Sequence, residues 1–246
     1  PLYITRDGNW ILHSDLTDIR SFKKIEEYDL VTFPNIEKKD WKTYFSASQW
    51  WFFTKRKVEF QVDVLWNICH GENGEDGIIS ALAKLVSLPV VSPGVFAESA
   101  WTNKQTMKTY FEALWFPQVP YSVWNKWHVD INAIEEKHTY PVFVKPNSLG
   151  STIGVSKCEN RDELEAWITV ATYFDDTIII EDAVASCREF NCSVMEIDGK
   201  ITPSLVEEPT TKEAFLTFDE KYTSSSGWTM KGVKSKVKVP AEISSE

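Results

Sequence analysis

The residues able to do chemistry fall in a few short runs. In Phe143-Val-Lys-Pro-Asn-Ser-Leu-Gly-Ser-Thr-Ile-Gly154 a lysine ends an apolar strand and a glycine- and serine-rich turn follows. Gly150, Ser151 and Thr152 in that turn can bring backbone N–H groups up to phosphate oxygens, with Lys145 as a point charge beside them. The Gly-x-x-x-x-Gly-Lys-Ser/Thr order of a Walker loop is absent. The same run also suits an ordinary hairpin loop with a lysine at a strand end. In Ile178-Ile-Ile-Glu-Asp-Ala-Val184 an acid ends a buried strand. Glu181 can accept a hydrogen bond from an exocyclic amine, and the backbone of Asp182, Ala183 and Val184 can read a ring edge. A strand-end acid in solvent is the plainer alternative. Glu189, after Arg188, is either a holder of ribose hydroxyls or half of a surface ion pair of little energetic weight.

Two further runs carry polar groups into loops. His70-Gly-Glu-Asn-Gly-Glu-Asp-Gly77 follows a strand at its carboxyl end, where ligands of open α/β sheets bind. Its glycines imply a close backbone approach. Asp219-Glu-Lys-Tyr222 lies in a long polar stretch and reads as a closing lid that carries Lys221 to a phosphate, or as a solvated charge cluster. No metal ligands are assigned: there is no histidine cluster, and no carboxylate pair follows a strand as a Mg²⁺-nucleotide site would need.

These runs must be positioned by elements that the hydrophobic pattern implies. Leu2–Thr5 and Trp10–Leu12 flank an Asp-Gly turn and read as a hairpin. Residues 13–60 have no clear period and read as loops. Val62–Ile68 reads as a buried, parallel strand, Ile78–Val86 as a helix burying Ile78, Leu82, Leu85 and Val86, and Pro89–Val91 as the returning strand. Strand, loop, helix and strand make a βαβ unit of Rossmann type. Beyond Ala100, a helix over Lys104–Leu114 and strands over Pro120–Trp124, Tyr140–Pro146 and Val155–Lys157 are expected. A helix opened by an Asn160 capping box runs to Phe174, with strands over Thr177–Glu181, Glu189–Ile197 and Ile201–Val206 after it. A long surface loop should occupy 207–232.

Length and composition narrow the classes. The 246 residues make about one and a half domains at roughly 150 residues each, and 43% hydrophobic with 25% charged residues suits a chain with a real core. A net charge of −10 gives no general attraction to nucleic acid or an anionic membrane. Apolar runs such as Ile178-Ile-Ile180 fall far short of the roughly 18 residues of a membrane span, and no signal peptide opens the chain. Cys69, Cys158, Cys187 and Cys192 lack metal or redox spacing and read as free thiols in a reducing cytoplasm.

Taken in order, the runs resemble the D-alanine–D-alanine ligase family of the ATP-grasp superfamily: His70 to Gly77, Lys104, Pro141-Val-Phe-Val-Lys-Pro146, Gly150-Ser-Thr-x-Gly154, Glu181, Arg188-Glu189, Glu220-Lys-Tyr222 and Val239-Pro-Ala241. The resemblance implies an α/β chain: a Rossmann-like pre-ATP-grasp domain over residues 1–100, then α+β ATP-grasp lobes over 101–246, the last incomplete. It implies a cytoplasmic enzyme that joins two D-alanines with ATP and Mg²⁺ for peptidoglycan precursors, through an acylphosphate. Lys104, Lys145 and Lys221 match phosphate-contacting lysines. Glu181 with Asp182, Ala183 and Val184 falls where adenine is read, and Glu189 on the ribose. Ser151 and Tyr222 match a hydrogen-bonded network at the second substrate, His70 a histidine beside the D-alanine sites. Homodimers are common in the family. Tyr222, where lactate-using relatives carry histidine, favours an amine as second substrate: D-alanine, or D-serine as the alternative.

The sequence also departs from the family pattern. Asn103 replaces an aspartate, Ser80-Ala81 a Gln-Gly pair and Thr152 a serine; one extra residue separates Glu181 from Arg188, and Cys187 stands for a glycine. The family's opening glycine-rich segment and its closing Mg²⁺-binding segment are expected to lie outside these 246 residues, so the chain alone is expected not to ligate. The competing readings are another ATP-grasp carboxylate–amine ligase and a non-catalytic nucleotide-binding remnant.

Overall fold

Short β-branched runs separated by polar turns should fold as strands and tight turns. The computed structural model, which describes residues 2–4, 10–12, 35–39, 42–51, 54–209 and 237–243, shows this in two units, Pro1–Glu98 and Ser99–Glu246.

In the first unit, β1 (Leu2–Ile4) and β2 (Trp10–Leu12) pair antiparallel, as the hairpin pattern requires. Next come β3 (Asn35–Lys39), β4 (Lys42–Trp51) and β5 (Thr54–Val62), a three-stranded antiparallel meander. This overturns the expectation of loops over residues 35–60, while residues 13–34 lie outside the described residues. The alternation is hidden because the buried positions of β4 include polar Thr43 as well as Phe45, while Tyr44 between them is only partly covered. The expected strand Val62–Ile68 is also corrected. Val62 closes β5, and only β6 (Leu65–Trp66) is extended, with Trp66 and Ile68 exposed. A parallel strand is buried on both faces only when neighbours and helices cover it. Among the described residues β6 pairs with β7 (Val90–Val91) alone, in parallel, through α1 (Ile78–Leu85). The helix buries Ile79, Ser80 and Ala83 and leaves Ile78 and Leu85 exposed, a face turned by about one residue from the expected one. Ala83 joins Phe45 and Leu88 in the unit's core.

In the second unit, α2 (Val95–Thr102) runs through the boundary and α3 (Lys104–Ala113) begins at Asn103, whose side chain caps the Thr106 N–H at 2.8 Å. The sheet is built from β8 (Tyr121–Asn125), β9 (Val142–Pro146), β10 (Ser156–Cys158) and β11 (Thr177–Asp182) in the order β10-β9-β11-β8, all antiparallel. Two helices intervene: α4 (Ile131–Lys137), capped by Asp130, and α5 (Arg161–Phe174), capped by Asn160. The Glu163 carboxylate reaches the Glu159 N–H, one residue before the position that a capping box would use.

Alternation then sorts the sheet. Val142 and Val144 of β9 and Ile178 and Ile180 of β11 face Leu164, Ile168 and Ala171 of α5 and Ile134 of α4 in one core. Each fully buried isoleucine contributes about 2–3 kcal/mol. Phe143 and Lys145 fall on the opposite face, where Ile179 lies across from Lys145 and Glu181 across from both Phe143 and Tyr121. Beyond β11, the expected strand Glu189–Ile197 shortens to β12 (Val194–Ile197), which turns through Asp198 and Gly199, both at positive φ, into β13 (Lys200–Pro203). Arg188 binds both oxygens of Glu208 at 2.7 and 2.8 Å. Glu208 itself opens β14 (Glu208–Pro209), paired with β15 (Val237–Lys238), where a loop was expected.

Candidate functional site

The site is built on the sheet face that α5 does not cover. Glu181 is buried there with both carboxylate oxygens engaged: Lys108 Nζ lies 3.0 Å from Oε1, and Lys145 Nζ donates to Oε2. Helical spacing places Lys104 and Lys108 one turn apart on α3. Lys108 is itself buried, its ammonium 4.6 Å from the centre of the Tyr121 ring. Burial pushes the Glu181 carboxyl up, but Lys145 and then Lys108 more than offset this and hold it below its ordinary value. The trio carries one net positive charge.

Lys104 sits where the glycine-rich loop leaves β9. Its ammonium donates to the carbonyls of Pro146 (2.9 Å), Asn147 (3.4 Å) and Leu149. Burial, then the charge of Lys145, lowers its pKa to about 8. Asn147, also buried, fastens the loop: its carbonyl accepts the Lys104 N–H, its side chain accepts the Gln105 N–H, and its own N–H donates to Thr177. Further along, Ser151 and Thr152 both adopt positive φ. For non-glycine residues this costs roughly 1–2 kcal/mol each, a strain that concentrates at functional sites. Gly154, at φ +68°, has no room for a side chain: a Cβ would lie 2.8 Å from Pro146 Cγ and 2.9 Å from Phe174 Cδ2.

These elements enclose a cleft of about 760 Å³ within the second unit. Lys104, Lys145, Gly150, Ser151 and Thr152 line it, as do Glu181, Asp182, Ala183, Val184 and Glu189. All ten were singled out from sequence. Glu189 makes no hydrogen bond among the described residues, because Arg188 spends its charge on Glu208 instead. Lys221 and Tyr222 lie outside the described residues. His70 belongs to the first unit, where it is exposed with Nδ1 3.5 Å from Glu75 Oε1. The glycines of its loop serve the loop itself. Gly74 packs so closely on Cys69 that a Cβ would lie 2.8 Å from Cys69 Cβ, while Glu75 and Asp76 accept the N–H groups of Gly71 and Asn73.

Sequence reasoning missed Lys108 and Asn147. Lys108 could have been found: it lies four residues beyond Lys104, one turn along the helix read from the sequence. Nothing in the sequence marks which side chain Asn147 meets. Among the described residues no cluster of three metal-ligating side chains exists, so the cleft as described does not fit Mg²⁺ by itself.

The family model described as D-ala D-ala ligase N-terminus matches residues 1–93, and that described as D-ala D-ala ligase C-terminus matches residues 110–246. The D-alanine–D-alanine ligase of Staphylococcus haemolyticus is 33% identical over all of this chain, and that of Staphylococcus epidermidis 33% identical over 98% of it. The chain spans 64% and 63% of the lengths of these two relatives. Among solved structures, the D-alanine–D-alanine ligase of Helicobacter pylori superposes with a TM-score of 0.69, at 21% identity, over 88% of this chain and 66% of that one. The D-Ala:D-Ser ligase of Enterococcus faecalis superposes with a TM-score of 0.71, at 21% identity, over all of this chain and 67% of that one. The mixed α/β fold expected from the resemblance is the fold of these structures.

Proposed function

The chain belongs to the D-alanine–D-alanine ligase family, and from that premise and the geometry of the cleft we propose that it holds ATP for the ligation of two D-alanines in peptidoglycan precursor synthesis. The observation that carries the proposal is the Lys108–Glu181–Lys145 trio beside the Lys104-anchored loop. A net-positive, largely buried constellation inside a chain of net charge −10 suits a triphosphate. Lys145 supplies charge at the phosphates, with Ser151 and Thr152 on the loop beside it. Lys104 fixes the loop carbonyls and adds its own charge. The wall from Asp182 to Val184 takes the base, and Glu189 the ribose. The family resemblance assigns Lys221 to the phosphates and Ser151, Tyr222 and His70 to the amino-acid substrates.

The chemistry required is activation of a poor electrophile. A D-alanine carboxylate oxygen attacks the γ-phosphorus, and ADP leaves. The amine of the second D-alanine attacks the acylphosphate carbonyl, loses its proton, and phosphate departs as the peptide bond forms. Phosphoryl transfer is mainly positioning and charge neutralisation, and the lysines contribute both. Mg²⁺ would neutralise phosphate charge when bound, through donors other than the described residues.

Titration of the protein with ATP and Mg²⁺, followed by calorimetry or tryptophan fluorescence, tests the cradle. Saturable binding lost in Lys145→Ala is expected. Binding of equal affinity in that variant would sink the proposal. D-serine is kept as a second reading because the E. faecalis D-Ala:D-Ser ligase superposes over the whole chain. Product analysis with ATP, D-alanine and D-serine, on the chain supplied with the family's opening and closing segments, separates the two, and D-alanyl-D-alanine is the expected main product.

A further inference from the structure

Behind the wall of the cleft lies a buried polar chain that no step above uses. His138, just past the end of α4, is more than nine-tenths buried. Its Nδ1 lies 2.7 Å from Asp182 Oδ1 and its Nε2 2.8 Å from Ser122 Oγ, while the Trp124 indole N–H donates to the same Ser122 oxygen at 2.7 Å. The partners fix the tautomer. A carboxylate only accepts, so Nδ1 carries the hydrogen; Ser122 accepts from Trp124 and donates to Nε2. Both ring nitrogens, the indole N–H and the Ser122 hydroxyl then each have a partner.

The order serine, histidine, aspartate is that of a hydrolase triad, but its exposure is reversed. The Ser122 hydroxyl is buried, lines no part of the cleft and already holds an indole N–H, so it is no nucleophile. The end that opens outwards is Asp182, which lines the cleft and ends β11. By the strand's alternation its side chain lies on the helix side, opposite to Glu181, so what it controls is the backbone at the cleft wall. That backbone is clamped on three sides. The Asp182 N–H donates to the Pro120 carbonyl at 3.1 Å, the Ala183 N–H donates to the Pro141 carbonyl at 3.0 Å, and the Asp182 carboxylate accepts from His138. The next N–H, of Val184, makes no hydrogen bond among the described residues.

We propose that His138 is a positioning residue that, through Asp182, fixes the Val184 N–H against the base and so sets selectivity for adenine over 6-oxopurines. This rests on the nucleotide reading of the cleft. The chemistry is specific. Adenine presents an unprotonated N1 that accepts from a fixed N–H, whereas hypoxanthine and guanine carry hydrogen on N1 and meet that donor with another. A fixed donor discriminates; a wandering one finds a second arrangement for either base. Phosphate affinity, supplied by the lysines, is indifferent to the base.

The test compares dissociation constants of the protein for ATP and for inosine triphosphate, each with Mg²⁺. The parent should prefer ATP by roughly tenfold or more, the value of one well-placed hydrogen bond lost and one clash gained. His138→Leu and Asp182→Ala should each bring the ratio below about threefold, while affinity for inosine triphosphate stays within about twofold. His138→Asn and Asp182→Asn, which keep the donor and acceptor, should restore most of the preference. A merely structural histidine would weaken both nucleotides together and leave the ratio alone. Should His138→Leu fail to fold, Asp182→Ala decides, since that side chain is 31% exposed. An unchanged ratio in a folded Asp182→Ala variant overturns the proposal. A parent that binds both nucleotides equally overturns it while the cradle stands, and a parent that binds neither overturns both.

Discussion

Replacing Glu181 with glutamine tests the electrostatic core of the site. Its two oxygens hold Lys108 and Lys145, whose side chains are 7% and 24% exposed. Removing one partner of a buried ion pair costs about 3–5 kcal/mol, because the other charge stays buried without compensation. The amide oxygen still accepts one hydrogen bond and returns about 1 kcal/mol. Lys145 reaches solvent, so its lost pair adds less than about 1 kcal/mol. The net loss should be about 3 kcal/mol, more than a hundredfold in the unfolding equilibrium of the second unit. Native-state hydrogen exchange at the amides of Ile178, Ile179 and Ile180 reads that unit's own opening free energy, without requiring the whole chain to unfold in one step. A companion Lys108→Met variant should lose a similar amount, and the double variant less than the sum. Exchange free energies within about 0.5 kcal/mol of the parent in Glu181→Gln would show that the lysines do not depend on Glu181, and the account of the trio would fail. The acid limb supplies an independent check. Folding holds the Glu181 carboxyl below its ordinary value, so its contribution is complete above the ordinary carboxyl range and fades as pH falls through the lower folded-state value.

Other outcomes follow from the same geometry. Because Lys104 titrates near pH 8 in the folded chain, against about 10.4 for a free lysine, the unfolded chain holds the extra proton between these values, and this group makes stability rise with pH there. Triphosphate affinity should run the other way, falling above about pH 8, and Lys104→Met should weaken binding and flatten that slope in a calorimetric titration. Gly154→Ala, which forces a Cβ against Pro146 and Phe174 at positive φ, should destabilise the second unit by about 2–4 kcal/mol, read as a lowered melting temperature. Asp130→Ala, which removes the cap that accepts the Asn132 and Ala133 N–H groups, should cost about 1 kcal/mol in urea denaturation.

How much of the fold was legible depended on whether the pattern of a segment was local. The central sheet of the second unit was readable because Val142 to Pro146, bounded by Pro141 and Asn147, and Ile178 to Glu181, bounded by Asp175-Asp176 and Asp182, alternate or run apolar between residues whose backbone preferences are intrinsic. The meander of β3, β4 and β5 was not, because what buries Thr43 and exposes Lys39 is pairing with other strands, not the residues themselves. The same reason shortened Val62–Ile68. Its apolar composition signals burial, but burial needs neighbours, and among the described residues β6 pairs with β7 alone. The face of α1 was misjudged by about one residue because Ser80, a polar residue, takes a buried position through its 2.9 Å hydrogen bond to Ser92.

The site divided along another line. Residue types reveal which groups can carry charge or accept a hydrogen bond, so Lys104, Lys145, Glu181 and Glu189 stood out from sequence. They do not reveal which of those capacities the protein has already used. Glu181 seemed available for a base amine, yet both its oxygens belong to lysines. Lys104 seemed free for phosphate, yet its ammonium spans three carbonyls. Conversely, Glu189 could as well have been half of an ion pair, yet the Arg188 guanidinium takes the two-pronged fit to Glu208 and Glu189 makes no hydrogen bond among the described residues. Partner choice is decided by distances that close only in three dimensions. That is why His138, unremarkable in the sequence, emerges as the residue that holds Asp182: its two ring nitrogens bridge β8 and β11, whose contributing residues lie 60 positions apart in the chain (182 − 122).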